Sequence, residues 1–206
     1  MQVRKPIFPD EVNDPQSLLS DDAYCAEEML SGQRLLVSKY GSAVRGFCAG
    51  RIGHTLPLAV VNLARTFPDN FILDGEIVHD SFIAFDILAG RGATVCAEPF
   101  AQRRKLLESI SPFPMVAHAV GQKDKTALLE RVRAACGAGI IFKRLDGPYR
   151  PEQHLYGVKL KDNGADTVSI EKCSLGTQQG GKPTSGFIKK MSSIHLPSRD
   201  AHVTRR

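Results

Sequence analysis

The chain has 206 residues, 42% hydrophobic and 24% charged, a composition that suits a soluble globular protein with enough Leu, Val and Ile for a core. No apolar run approaches the ~20 residues that span a bilayer, and the leading "MQVRKPIFPDEVNDP" lacks the apolar segment of a secretory signal, so a cytoplasmic protein without a membrane role is expected. Five cysteines scattered singly argue against a disulfide framework and a zinc site, and predict buried thiols instead.

In chain order, residues 1–20 read as an irregular lead-in rich in Pro, Asp and Asn. Strands are predicted at Tyr24–Leu30, Arg34–Lys39 and Ala43–Cys48, with "SGQ" and "YGS" as turns. Apolar residues at helical spacing after a proline place a helix at Leu58–Thr66. "NFILDGEIVHDSFIAFDIL" alternates and breaks at "HD", a hairpin of Phe71–Val78 and Phe82–Leu88. "EPFAQRRKLLESI" is an amphipathic helix, "PMVAHAV" a strand, and "KTALLERVRAAC" a helix that closes at Gly137. "GIIFKRL" and "YGVKLK" are strands flanking "DGPYRPEQH", and "DTVSIEKCSL" is one more.

The domain is therefore expected over residues 21–175, with a flexible basic tail at 176–206 that opens on "GTQQGGKPTSG". Interleaved hairpins and helices, without regular βαβ alternation, indicate α+β with mostly antiparallel sheets. The net charge of +5 is located in the tail: from Gly181 onward stand six basic residues and one acid, which leaves 21 basic and 21 acidic residues in 1–180. A neutral body is a poor electrostatic footprint for clamping duplex DNA. The tail adds at most a weak, salt-sensitive attraction to nucleic acid.

The central question lies in "AEEMLSGQRLLVSKYG", Ala26 to Gly41, a strand, a tight turn and a second strand. Together with "FILDGEIV", "FIAFDIL", "AGIIFKRLDGPY" and "GVKLK", it resembles the nucleotidyltransferase domain of ATP-dependent DNA ligases, of the compact bacterial and phage type. The resemblance runs from about Ala23 to Lys161, with the five stretches in order and at the right separations. It implies a ligase-type α+β fold of antiparallel sheets flanked by helices, and a connection to DNA repair.

The departures from that pattern fall on the chemistry. The family's first motif, Lys-x-Asp-Gly-x-Arg, supplies a lysine that attacks the α-phosphate of ATP, because a neutral amine is a good nucleophile and leaves a phosphoramidate. Here it reads Met29-Leu30-Ser31-Gly32-Gln33-Arg34. A thioether has no proton to lose and forms no stable neutral adduct. The fourth motif's metal-associated glutamate is Ala138, which cannot ligate Mg²⁺. Where the family continues with Asn-Arg-Arg-Gly after "VRGF", this chain has "CAGRIG", and Arg51 inherits no role. The OB-fold domain that follows in working ligases is not expected in the residues past Lys161.

A partial cradle remains by the same resemblance. Glu27 would accept from the adenine amino group, Arg34 and Glu76 would contact the ribose side, and Phe85 would stack on the base. Lys159 and Lys161 would face the phosphates, with Lys143 nearby. The expected function is a non-catalytic, ligase-like protein that holds ATP or AMP without requiring Mg²⁺, in an accessory or sensor role. The alternatives are an interaction protein that recognises another protein on the same scaffold, and an active nucleotidyltransferase that uses another lysine, of which Lys39 is the nearest downstream.

Overall fold

The apolar pattern resolves into two sheets, each covered by helices on one face and polar on the other. The computed structural model describes residues 10–11, 15–48, 51–150 and 155–159. In chain order the elements are β1 (Asp10–Glu11), α1 (Pro15–Ser20), β2 (Tyr24–Glu28), β3 (Gln33–Tyr40), β4 (Ala43–Cys48), β5 (Arg51–His54) and α2 (Leu58–Thr66). There follow β6 (Phe71–Val78), β7 (Ser81–Gly90), β8 (Ala93–Thr94), α3 (Phe100–Ile110), β9 (His118–Val120), α4 (Gln122–Ala134), β10 (Gly139–Arg144) and β11 (Leu155–Lys159).

The first sheet has the order β1-β11-β10-β2-β9 and the second β5-β4-β3-β6-β7-β8. Every ladder between these strands is antiparallel except the short pairing of β1 with β11. The fold is α+β with mostly antiparallel sheets, as the sequence predicts. Among the described residues no helix is long and apolar enough to cross a membrane.

Strand alternation divides each sheet into two faces. On β3 and β6, Leu35, Val37, Phe71 and Leu73 turn into a core closed by Val60 and Ala64 of α2 and by Leu107 and Ile110 of α3. Phe113 packs edge-on against both Phe71 and Phe82 there. On β2 and β10, Ala26, Ile140 and Phe142 form a second core with Leu128, Leu129 and Val132 of α4. The remaining positions of the same strands carry Glu27, Arg34, Asp74, Glu76 and Lys143. The polar faces of the two sheets meet where Lys143 of β10 lies over the Phe85 ring of β7, and the residues around that contact line one cleft.

Three differences from the sequence reading have plain causes. Helix α1 lies inside the segment read as irregular; six residues are too few to show a period, yet Leu18 and Leu19 are buried in the second core. Strands β5 and β8 were not predicted, because each is a short edge strand with one partner. Cys25 is buried as expected, whereas Cys136 is exposed at the end of α4, in a left-handed conformation with φ 52°. The predicted strand "DTVSIEKCSL", the basic tail and Cys173 lie outside the described residues.

Lys125 of α4 holds the start of β2 in place. Its ammonium is fully buried and donates to the carbonyls of Leu18, Asp21 and Tyr24 at 2.9, 2.7 and 3.1 Å. Burial lowers its pKa, against the pull of Asp22 and Asp21. Lys125→Met keeps the stem and strands the carbonyls, and urea unfolding should show a loss of about 2–4 kcal/mol, the cost of leaving buried acceptors unmade. A loss below about 1 kcal/mol would mean that water replaces the ammonium there.

Candidate functional site

The turn between β2 and β3 is held from both sides. At the end of β2, the Met29 N–H donates to the Gly139 carbonyl of β10 at 2.8 Å. Two residues past Leu30, the Gly32 N–H donates to Glu76 Oε2 at 2.9 Å. A side chain on Gly32 would meet the Ile77 carbonyl oxygen at 2.5 Å, so the turn lies against β6 only because that residue is glycine. Met29 is consequently next to the strand that Ala138 precedes. The turn itself carries Met29 and Ser31, and Ala138 stands just before the strand that Met29 bonds.

Phe85 reaches the cleft through a bulge. In the β6–β7 ladder Asp74 pairs with Asp86 and Gly75 with Ala84, so Phe85 is the extra residue. The bulge reverses the alternation: Phe82 and Ala84 point into the first core, as does Ile87. Gly75 permits the close approach, since a Cβ there would lie 2.3 Å from the Ile83 carbonyl oxygen. Two cations lie over the Phe85 ring, Arg34 with its guanidinium carbon 5.1 Å from the centroid and Lys143 with Nζ at 4.8 Å.

The charges of the cleft whose side chains are described meet partners within the fold. Arg34 makes a two-pronged pair with Asp74, at 3.2 and 2.7 Å, and not with Glu76, its neighbour in the ladder. Burial works against the Arg34 charge, but Asp74 more than offsets it and raises its pKa. The Tyr149 hydroxyl donates to Asp74 Oδ2 at 2.7 Å; burial, then the Asp74 charge, pushes its pKa well up and keeps the proton on.

Glu27, only 2% exposed, receives Lys143 Nζ at 2.5 Å and Arg104 at 3.2 Å, and His118 Nδ1 lies 3.6 Å away. Burial alone would raise its pKa, yet Lys143, His118 and Arg104 together hold the carboxyl below its ordinary value. The Lys143 ammonium also stands 4.9 Å from the Phe100 ring centroid, so two aromatic rings and one carboxylate surround it. Cys25, on the same strand face as Glu27, is pushed up to about 12 by burial and by the Glu27 charge, and is not a thiolate nucleophile.

The structure therefore gathers Glu27, Arg34, Glu76, Phe85 and Lys143. The backbone of Lys159 ends β11 opposite Gly139, and Lys161 lies outside the described residues. Lys39 is elsewhere: it is buried on the opposite face of β3 from Arg34 and donates to the Asp69 carbonyl at 3.1 Å. Sequence reasoning did not find Asp74, Asp86, Arg103, Arg104, His118 and Tyr149. The available signal was the "RR" of α3, two charges on a helix face that the apolar period assigns to the core.

The comparisons with known proteins bear on this arrangement. No protein-family model matches the chain, and no curated protein does. Among solved structures, the ligase domain of LigD from M. tuberculosis is 25% identical over 66% of this chain and 53% of its own, with a TM-score of 0.56. A mycobacterial DNA ligase D complexed with ATP and MES is 25% identical over 66% of this chain and 54% of its own, at 0.53. The fold is that of an ATP-dependent DNA ligase nucleotidyltransferase domain. A Lig E DNA ligase has the same fold at 14% identity, over 76% of this chain and 70% of its own, at 0.52. The ligase-like chain spans about half the length of the two LigD structures.

Glu76 of this ligase-like cleft carries a pH signature. Burial raises its pKa, against the opposing Gly32 N–H and Arg34. A carboxyl whose folded pKa exceeds its unfolded one binds more protons in the native state, so it adds stability as pH falls through the folded value towards the unfolded one. Glu76→Gln keeps an acceptor for Gly32 and removes the buried charge. Thermal melts should show the variant at least as stable as the parent at pH 7, with that increment on acidification gone. A variant clearly less stable at pH 7 would show that Glu76 is held by pairing and not strained by burial.

Proposed function

We propose that this chain is a non-catalytic ligase-like protein that retains an adenine-nucleotide cradle and serves as an accessory or sensor in the cytoplasm. The observation that carries the reading is the turn itself. The frame that would present a nucleophile is kept by Met29 N–H to Gly139 and Gly32 N–H to Glu76, while Met29, Ser31 and Ala138 replace the nucleophile, the motif aspartate and the metal carboxylate. Support for a nucleotide comes from the cleft chemistry and from the ATP held by a mycobacterial ligase D of the same fold. In this reading Phe85 stacks on the base, Glu27 accepts from its amino group, and Arg34 and Glu76 line the ribose side. Lys143, Lys159 and Lys161 receive the phosphates. Mg²⁺ is not required, because alanine offers no oxygen donor at position 138.

A catalytic alternative through Lys39 has little geometry behind it, since its ammonium is committed to Asp69 on the far face of β3. Moving the reacting atom across a sheet forfeits in-line attack. The protein-binding alternative has one observation in its favour, the engagement of Glu27 and Phe85 by Lys143 within the chain.

Incubation with labelled ATP and Mg²⁺, followed by a denaturing gel, should give no labelled band. Met29→Lys alone should also give none, because the metal carboxylate is still missing. A stoichiometric band from the parent would overturn the non-catalytic reading.

Calorimetric titration decides between the cradle and the bare scaffold. AMP should bind the parent with little dependence on Mg²⁺, and Phe85→Ala should weaken it by about 1–3 kcal/mol, the usual cost of losing a stacking aromatic under a base. If the parent binds no nucleotide, the cleft is internal packing and the protein-binding reading replaces this one.

A further inference from the structure

The Lys143 ammonium occupies the very groups that the nucleotide reading assigns to a base. It is bound to Glu27 Oε2 at 2.5 Å and lies 4.8 Å from the centroid of Phe85. A base that stacks on Phe85 and donates its amino group to Glu27 must take both from Lys143. The remaining wall, the Phe100 ring at 4.9 Å, completes an aromatic and acidic cage around a cation that is almost fully buried.

Releasing that ammonium has unequal consequences at its two ends. Glu27 retains Arg104 at 3.2 Å, itself anchored by Glu108 at 2.8 Å and the Val116 carbonyl at 3.3 Å, so the carboxylate is not left alone. Lys143 has no second carboxylate within salt-bridge distance among the described residues. The nearby Asp74 is already taken by Arg34 and the Tyr149 hydroxyl. The freed cation needs an anion from the ligand. A nucleoside brings none; a nucleotide brings its phosphate.

We infer that Lys143 is the specificity-determining residue of the cradle, an internal occupant that yields to phosphorylated nucleotides and excludes free nucleosides. This rests on the nucleotide-binding reading above and adds to it a choice of ligand class. In the exchange, the base takes Phe85 and Glu27 from the ammonium, and the ammonium takes the 5′-phosphate. No covalent bond forms or breaks. The neutral nucleoside must break the Lys143–Glu27 pair with nothing to replace it, and a buried cation left without a partner is strongly unfavourable.

Calorimetry with AMP and adenosine, on the parent and on Lys143→Met, tests this. The parent should prefer AMP by at least about tenfold, in line with one charge-assisted phosphate contact. In Lys143→Met the cage is open to the base, so adenosine should bind about fivefold tighter or more while AMP weakens, and the preference should nearly vanish. Adenosine binding that is unchanged or weaker in the variant overturns the exchange. If that happens while the parent still binds AMP, only the exchange fails; if neither protein binds either ligand, the nucleotide reading fails with it. A nitrogen-15 spectrum of the lysine ammonium groups gives a second readout on the unaltered protein, with Lys143 assigned through Lys143→Arg. Its signal should move with AMP and stay in place with adenosine at the same concentration. A signal indifferent to AMP overturns the proposal even if Lys143→Met does not fold.

Discussion

The cleft depends on one buried ion pair, Arg103 with Asp86. The guanidinium of α3 donates to both carboxylate oxygens, at 2.8 and 2.9 Å, with 0% and 4% of the two side chains exposed. Burying two charges is costly unless the remaining donors are also met. They are: the third nitrogen of Arg103 reaches the carbonyls of Glu98 and Gly147, at 2.6 and 3.0 Å. Through Gly147 the pair anchors the loop after β10, and the same loop bonds the N-terminus of α3 through Phe100 and Ala101. Tyr149, two residues on, then reaches Asp74 and fixes Arg34 beside Phe85. A contact buried behind the bulge thus sets the position of the aromatic ring in front of it.

The elements with a strong period were legible in the sequence. Helix α2 and strands β4 and β6 fall where "LPLAVVNLART", "AVRGFC" and "FILDGEIV" place them. The turn chemistry was equally clear, because Gly32 is forced by the close approach of Ile77. What was hidden is the set of partners. Asp74 and Glu76 both alternate onto the polar face of β6, and nothing local says which one Arg34 will choose. The choice is made by Tyr149, 75 residues later in the chain, whose hydroxyl completes Asp74. Arg103 and Arg104 were hidden differently. They lie on the apolar face of an amphipathic helix, where a residue-by-residue reading takes charge for solvent exposure. The bulge at Phe85 also leaves no local mark, since "FIAFDIL" alternates well enough without one.

The paired charges of the cleft have an energetic explanation that does not require a ligand. Arg34 with Asp74 and Arg103 with Asp86 are opposite charges that meet inside the fold. Removing one member of such a pair leaves the other buried and unpaired, at a cost of about 3–5 kcal/mol, a large share of a domain's stability. Ser31 is exposed and Met29 and Ala138 are half-buried, none with a charge to strand. At those positions, whose partners in the resemblance are a nucleotide and a metal, a substitution strands no charge inside the fold. A chain released from catalysis would lose them first and keep the rest for stability alone.

Paired charges in the cleft are therefore weak grounds for binding when taken by number. Stability explains why Arg34 meets Asp74 and why Arg104 meets Glu27. It explains the Lys143 pair less fully, because Glu27 already has Arg104, with His118 beside it. A second cation on a satisfied carboxylate, held against two aromatic rings, adds less to the fold than the first, since the desolvation of Glu27 has already been offset. Among the retained charges, Lys143 is the one whose removal costs the scaffold least relative to what it controls in the cleft. On the proposed reading, its position over Phe85 is what separates internal packing from a nucleotide cradle.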